Sequence, residues 1–146
     1  MGKFRYFELS EFINSDTAKK RMIDNCPTFE VVDHLSELVE NFLDPLRAAL
    51  GKPIDVSSGY RCKKLNTAVG GVLSSAHLTG YAADITCAYL SFSKFKDFVV
   101  DWVKKTNRKF DQIIVETDRK TGAQWVHVGY KNSKGQQRGQ ILNIDK

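Results

Sequence analysis

Near its C-terminal end the chain carries QWVHVGY, residues 124–130, whose strict alternation puts Trp125, His127 and Gly129 on one side and Val126, Val128 and Tyr130 on the other. A period of two marks a β-strand with one face against a core. His127 stands at its centre between two valines. Burying an imidazole without a partner costs roughly 1–3 kcal/mol, so any fold of this chain must bring His127 a partner. A backbone carbonyl would serve, and so would a metal ion shared with other side chains.

The surrounding patterns predict the scaffold. FDQIIVE, residues 110–116, reads as a strand and is joined to QWVHVGY by the polar turn TDRKTGA, which predicts a hairpin. AADIT, residues 82–86, reads as a strand with Ala82, Asp84 and Thr86 on one face and Ala83 and Ile85 on the other. Between them SFSKFKDFVVDWVKKTN is an amphipathic helix whose buried stripe is Phe92, Phe95, Phe98, Val99, Trp102 and Val103. That aromatic stripe reads as core rather than as a stacking platform for bases.

Upstream, Ser10 and Ser15 each precede an acidic residue and mark helix starts. Apolar residues from Val31 through Leu35, Leu38, Phe42 and Leu46 to Leu50 recur at helical spacing over 28–50, with Pro45 expected to kink or interrupt the helix and Gly51 and Pro53 to end it. PIDVSSGYR predicts a short strand running into a turn at Ser58–Gly59. Residues 63–78 show no strong period, and Gly70–Gly71 marks a sharp bend. The tail KNSKGQQRGQILNI adds an edge strand. The class is α+β: early helices, then a small, mainly antiparallel sheet with one helix packed on it.

Length and composition set the outer bounds. At 146 residues, 42% hydrophobic, the chain fits one domain over 1–146. No apolar run is long enough to span a bilayer. MGKFRYFELSEF has no apolar h-region, so no signal peptide is expected, and Tyr6 breaks the myristoylation pattern opened by Met1–Gly2. Cys26, Cys62 and Cys87 are odd in number and widely spaced, which points to free thiols and cytoplasmic synthesis. A net charge of +5 permits an acidic partner such as nucleic acid or an anionic wall. No nucleic-acid motif accompanies it, however, and the scattered Lys and Arg read as solvated faces.

SSAHLTGYAADI, residues 74–85, offers His77 and Asp84 in a frame of small residues. With His127 these supply two nitrogens and one oxygen, a donor set that suits zinc with a fourth position open. Spacing alone leaves the structural and the metal readings both open.

SSGYRCKKLN, VGG, SSAHLTGYAADI and WVHVGY, in that order, resemble the D-alanyl-D-alanine carboxypeptidase family of zinc peptidases, in particular a small subgroup of phage and bacterial cell-wall proteins. The N-terminal stretch from FELSEF to GKPI is similar to that subgroup as well. The resemblance implies that His77, Asp84 and His127 bind zinc, and that Arg61 holds the substrate carboxylate or a developing oxyanion. It implies that Ser75 contacts substrate, that Gly80 lets the chain turn between ligands, and that Asn66 braces the loop. The implied substrate is a peptidoglycan stem peptide cut near D-alanine, by a monomer released through lysis or a holin or carried in a virion.

One position departs from the family. Better-known members place Glu or Asp three residues before the last histidine ligand; here that residue is Gln124, which is left a role in contacting substrate. Glu116 is the expected general base, because a hairpin register setting Ile114 opposite His127 pairs Glu116 with Trp125 on the metal's face. A register shifted by one residue sends it to the other face. Asp111 and Asp118 are weaker candidates. Gln124 also keeps open a different class, a non-catalytic zinc-containing binding module similar to the hedgehog signalling domain. Cys62 is read as a small buried residue rather than a nucleophile, and His34 as ordinary surface.

Overall fold

The computed structural model describes residues 4–145, so Met1 and Gly2, where no lipid signal is expected, lie outside the described residues. Two short helices come first, α1 (Leu9–Ile13) and α2 (Asp16–Lys20). Ser15 caps α2 as expected, its Oγ accepting the Ala18 N–H at 3.1 Å. Ser10 does not cap α1. Its N-cap is Glu8, two residues earlier, and Glu11 reaches back to take the Glu8 N–H at 2.7 Å, which satisfies a donor the helix cannot pair itself.

The long periodic stretch is α3 (Phe29–Leu38), a π-helical turn over Val39–Leu43, and α4 (Asp44–Leu50). Pro45 explains the wide turn. It has no N–H, and its ring would strike the Asn41 carbonyl in a regular helix. The chain widens instead, so that the Asp44 N–H reaches the Val39 carbonyl, and the helical path continues. Arg108 Nη1 donates to the Asn41 carbonyl at 3.4 Å. Gly51, at φ +71°, closes α4.

Five strands form one sheet, β1 (Asp55–Ser58), β2 (Ala82–Thr86), β3 (Gln112–Thr117), β4 (Gln124–Gly129) and β5 (Gln140–Asp145), in the order β1-β2-β4-β3-β5. All neighbours are antiparallel except β3 and β5, which run parallel. One face buries Ala83, Ile85, Ile113, Val126 and Val128 against α3, the π turn and α6 (Phe92–Lys105). From α6, Phe95, Val99, Trp102 and Val103 enter this core, and Phe92 and Phe98 pack at its margin. Phe42 meets Trp102 edge-on at 5.4 Å between ring centroids. The other face carries a row set by register: Ser58, Asp84, His127, Ile114 and Leu142.

Three local expectations are corrected. Past Ser58 the chain makes no turn but runs on toward α5 (Lys63–Ala68), a helix too short for its period to register in the sequence. Gly59 is needed for close approach, since a Cβ there would lie 2.5 Å from the Phe12 carbonyl oxygen. His34 is half-buried rather than ordinary surface. Its Nδ1–H donates to the Thr79 carbonyl at 2.7 Å, and its ring stacks on Tyr81 at 4.0 Å. Glu37, one turn along α3, accepts from the Tyr81 hydroxyl and from Lys131 Nζ. Helix α3 thereby grips the chain just before β2 and just after β4.

Gly80 makes that grip possible. Its φ is +86°, and a Cβ would meet the Val31 carbonyl oxygen at 2.8 Å. Gly80→Ala should therefore cost about 1–3 kcal/mol, read as a lowered urea midpoint; an unchanged midpoint would show that α3 does not press on this loop. A second outcome concerns acid. Arg138 Nε and Nη2 each donate to Asp111 at 2.8 Å, fastening the segment before β5 to the start of β3. Burial pushes the Asp111 carboxyl up, but the Arg138 bonds outweigh it and hold the group below its ordinary value. Its contribution is thus present in full above the unfolded pKa of about 3.9 and fades as pH falls through the lower folded value. Asp111→Asn should lose about 1–3 kcal/mol at pH 7 and much less at pH 2, seen by denaturation at both.

A candidate metal centre on the open face of the sheet

His77 comes from a 3₁₀ turn, Ala76–Leu78, and Asp84 and His127 come from adjacent strands that set them opposite each other. One ligand atom from each lies within 4.8 Å of the others. His77 Nε2 is 3.3 Å and His127 Nδ1 is 3.0 Å from the same oxygen, Asp84 Oδ1. His77 and Asp84 are buried, at 2% and 9% exposure.

The protons decide what belongs between them. His77 Nδ1 lies 2.6 Å from the Gly59 carbonyl, which can only accept, so Nδ1 carries the hydrogen. In a neutral ring Nε2 then points a lone pair at a carboxylate oxygen, which is repulsive unless a cation sits between. Burial pulls the His77 pKa down, Asp84 pulls it up, and burial wins, so a proton is a poor cation for the place. Burial would likewise raise Asp84, and only positive charge at the two imidazole positions holds it well below the ordinary carboxylate range, the charge that a cation there would supply. A metal ion fits this set: a charged oxygen, and a nitrogen whose ring is oriented by a carbonyl on its far side. Two nitrogens and one oxygen suit zinc and leave a position for water.

A second layer fixes these groups. Ser75 Oγ accepts from the His77 N–H and from Arg61 Nη2, both at 3.2 Å. The Arg61 N–H donates to the His77 carbonyl at 3.0 Å. Burial lowers the Arg61 pKa against the pull of Asp84 and Glu116, and a guanidinium keeps its charge in a protein all the same. Among the described residues its buried Nε has no acceptor, which leaves a donor for a ligand. Asn66 donates to the Val72 carbonyl at 3.0 Å and lies under Gly71, where a Cβ would strike its Oδ1, so it braces the loop.

The hairpin has the register that places Ile114 opposite His127 and Glu116 opposite Trp125. Glu116 is buried on the metal's face, and Trp125 Nε1–H donates to its Oε2 at 2.8 Å. Gln124 is placed otherwise than expected. It is exposed, its Nε2 donates to Thr117 Oγ1 at 3.3 Å, and it does not line the cleft, because the residue beside Trp125 points to the opposite face. Asp111 is occupied by Arg138, and Asp118 Oδ1 accepts the Lys120 N–H at 2.9 Å within the turn. Cys62 is half-buried at the start of α5, and no disulfide joins the cysteines. A cleft of about 1110 Å³ opens over the three ligands, walled by residues 69–76, the hairpin turn and residues 132–138.

Asn25 is the residue that sequence patterns do not reveal. Its Nδ2 donates to the Ile13 and Tyr60 carbonyls, both at 2.9 Å, and its Oδ1 accepts the Cys62 N–H at 2.8 Å. It thereby clamps both neighbours of Arg61. Its partners lie 12 to 37 residues away, and a lone asparagine in a polar loop gives no local sign of them.

A family model described as Peptidase M15 matches residues 5–128. No curated protein matches the chain.

Metal analysis of purified variants checks the centre. His127→Ala should lose the bound metal. Asn25→Ala should keep it with about 10–100-fold weaker affinity, the usual effect of loosening outer-shell support. An Asn25→Ala protein binding zinc as tightly as wild type would remove Asn25 from the account.

Proposed function

Because the chain belongs to the Peptidase M15 family, we propose that it is a zinc metallopeptidase hydrolysing amide bonds of peptidoglycan stem peptides near D-alanine, as a carboxypeptidase or endopeptidase. His77, Asp84 and His127 are the zinc ligands. The observation that carries the reading is the cation-demanding contact between His77 Nε2 and Asp84 Oδ1 beneath an open cleft. Bound zinc would make water acidic enough to lose a proton near neutral pH.

The chain's own groups supply the rest. Glu116, held through Oε2 by Trp125, takes the proton of the attacking water and returns it to the leaving nitrogen. Arg61 donates to the oxygen that gains charge when the carbonyl is attacked. Ser75 steadies Arg61, accepts the His77 N–H and lines the cleft, where it contacts substrate. Among the described residues no helix is long and apolar enough to cross a membrane. The proposed enzyme is one domain acting as a monomer, reaching the wall after lysis, holin release or virion delivery. Gln124, at the family's base position yet turned from the cleft, favours the second reading, a zinc-bearing binding module without turnover.

Incubation with purified peptidoglycan separates the two. New amino termini should appear with metal and vanish with chelator. Glu116→Gln should keep its zinc and lose about 10²–10⁴-fold in kcat. Full activity in Glu116→Gln would reassign the base, and no release by the zinc-loaded wild type would leave the binding module.

A further inference from the structure

β5 breaks the rule for a half-buried edge strand. QILNID has aliphatic residues at 141, 142 and 144 where one face alone should be apolar. Ile141 packs on the core, so Leu142 and Ile144 lie on the other side, the side of the metal ligands. Leu142 is 38% exposed. Register places Leu142 beside Ile114, and Ile114 beside His127, while Ile144 stands beside Glu116. An aliphatic strip therefore begins at the metal centre and runs out over β3 and β5. Polar pairs bound it: Gln112 Nε2 donates to Gln140 Oε1 at 2.8 Å at one end, and Glu116 meets Trp125 at the other.

We propose that Ile114, Leu142 and Ile144 form a subsite for an aliphatic side chain of the peptide substrate. The inference rests on the peptidase reading above. Neighbouring strands lie about 4.8 Å apart, so Leu142, two strands from His127, is roughly 10 Å from it. An extended peptide advances about 3.3 Å per residue, which puts the occupant two to three residues from the cleaved amide. Three side chains are far too few for a stable protein interface but match one side chain of three or more carbons. Ile144 and Ile114 line the same cleft as the ligands, so this occupant shares their solvent-filled space. β5 lies outside the family-matched residues 5–128, whereas Ile114 lies within them.

The test profiles zinc-loaded wild type on stem-peptide analogues that keep D-alanine at the cut and carry Ala, Leu, Lys or Asp two or three residues away on either side. At one position two or three residues away, Leu should exceed Asp at least tenfold in kcat/KM, with Lys, whose stem is aliphatic, between them. Leu142→Glu, a change at an exposed site, should reduce the Leu-to-Asp ratio about tenfold while zinc content and circular dichroism match wild type. Cleavage without an aliphatic preference, or a preference untouched by Leu142→Glu and by Ile144→Thr, overturns the subsite and leaves the peptidase standing. No cleavage of any peptide overturns both.

Discussion

A carboxylate nearly closed to water has to be compensated, and Asp84 is that carboxylate. Much of the local architecture can be understood as meeting its demand. The antiparallel register of β2 and β4 places His127 directly across from it, and the 3₁₀ turn before β2 brings His77 from the other side. Two imidazoles around one oxygen make a strongly polar cluster, set between the apolar core behind the sheet and a cleft lined by Arg61, Ser75 and Glu116. Such a cluster is costly half-satisfied and stable once a cation completes it.

Support for that pocket comes from parts of the chain remote in sequence. α1 and the loop after α2 hold residues 59–62 through the Phe12 carbonyl and Asn25, and that segment supplies both the carbonyl that orients His77 and the guanidinium beside it. α3 grips residues 79–81 and Lys131. The early helices thus do two jobs: they bury the back of the sheet, and they reach round to fix the loops on its front.

Strand alternation made much of this legible in the sequence. QWVHVGY and FDQIIVE predict their own faces, and of two registers one residue apart the observed one sets Glu116 on the side of His127. The amphipathic stripe of α6 and the effect of Pro45 are equally local and equally readable. What stays hidden is either too short or too long in range. α5 is six residues, below the length at which a helical period declares itself. His34, one position off an apolar stripe, looks like surface because its partners Thr79 and Tyr81 lie on a distant loop. Gln124 shows the limit of a family position as a guide: the two-residue period of β4 sets its direction, and it bonds Thr117 instead of lining the cleft.

β5 enters the sheet last in sequence, at its rim, and parallel to β3. It shares no residue with the ligand trio or with the network behind it. Exchanging or lengthening this one ribbon would redraw the floor of the cleft while leaving the ion's cage intact. The three candidate ligands and the aliphatic residues of β5 thus sit on separate pieces of backbone, so either could vary without rebuilding the other.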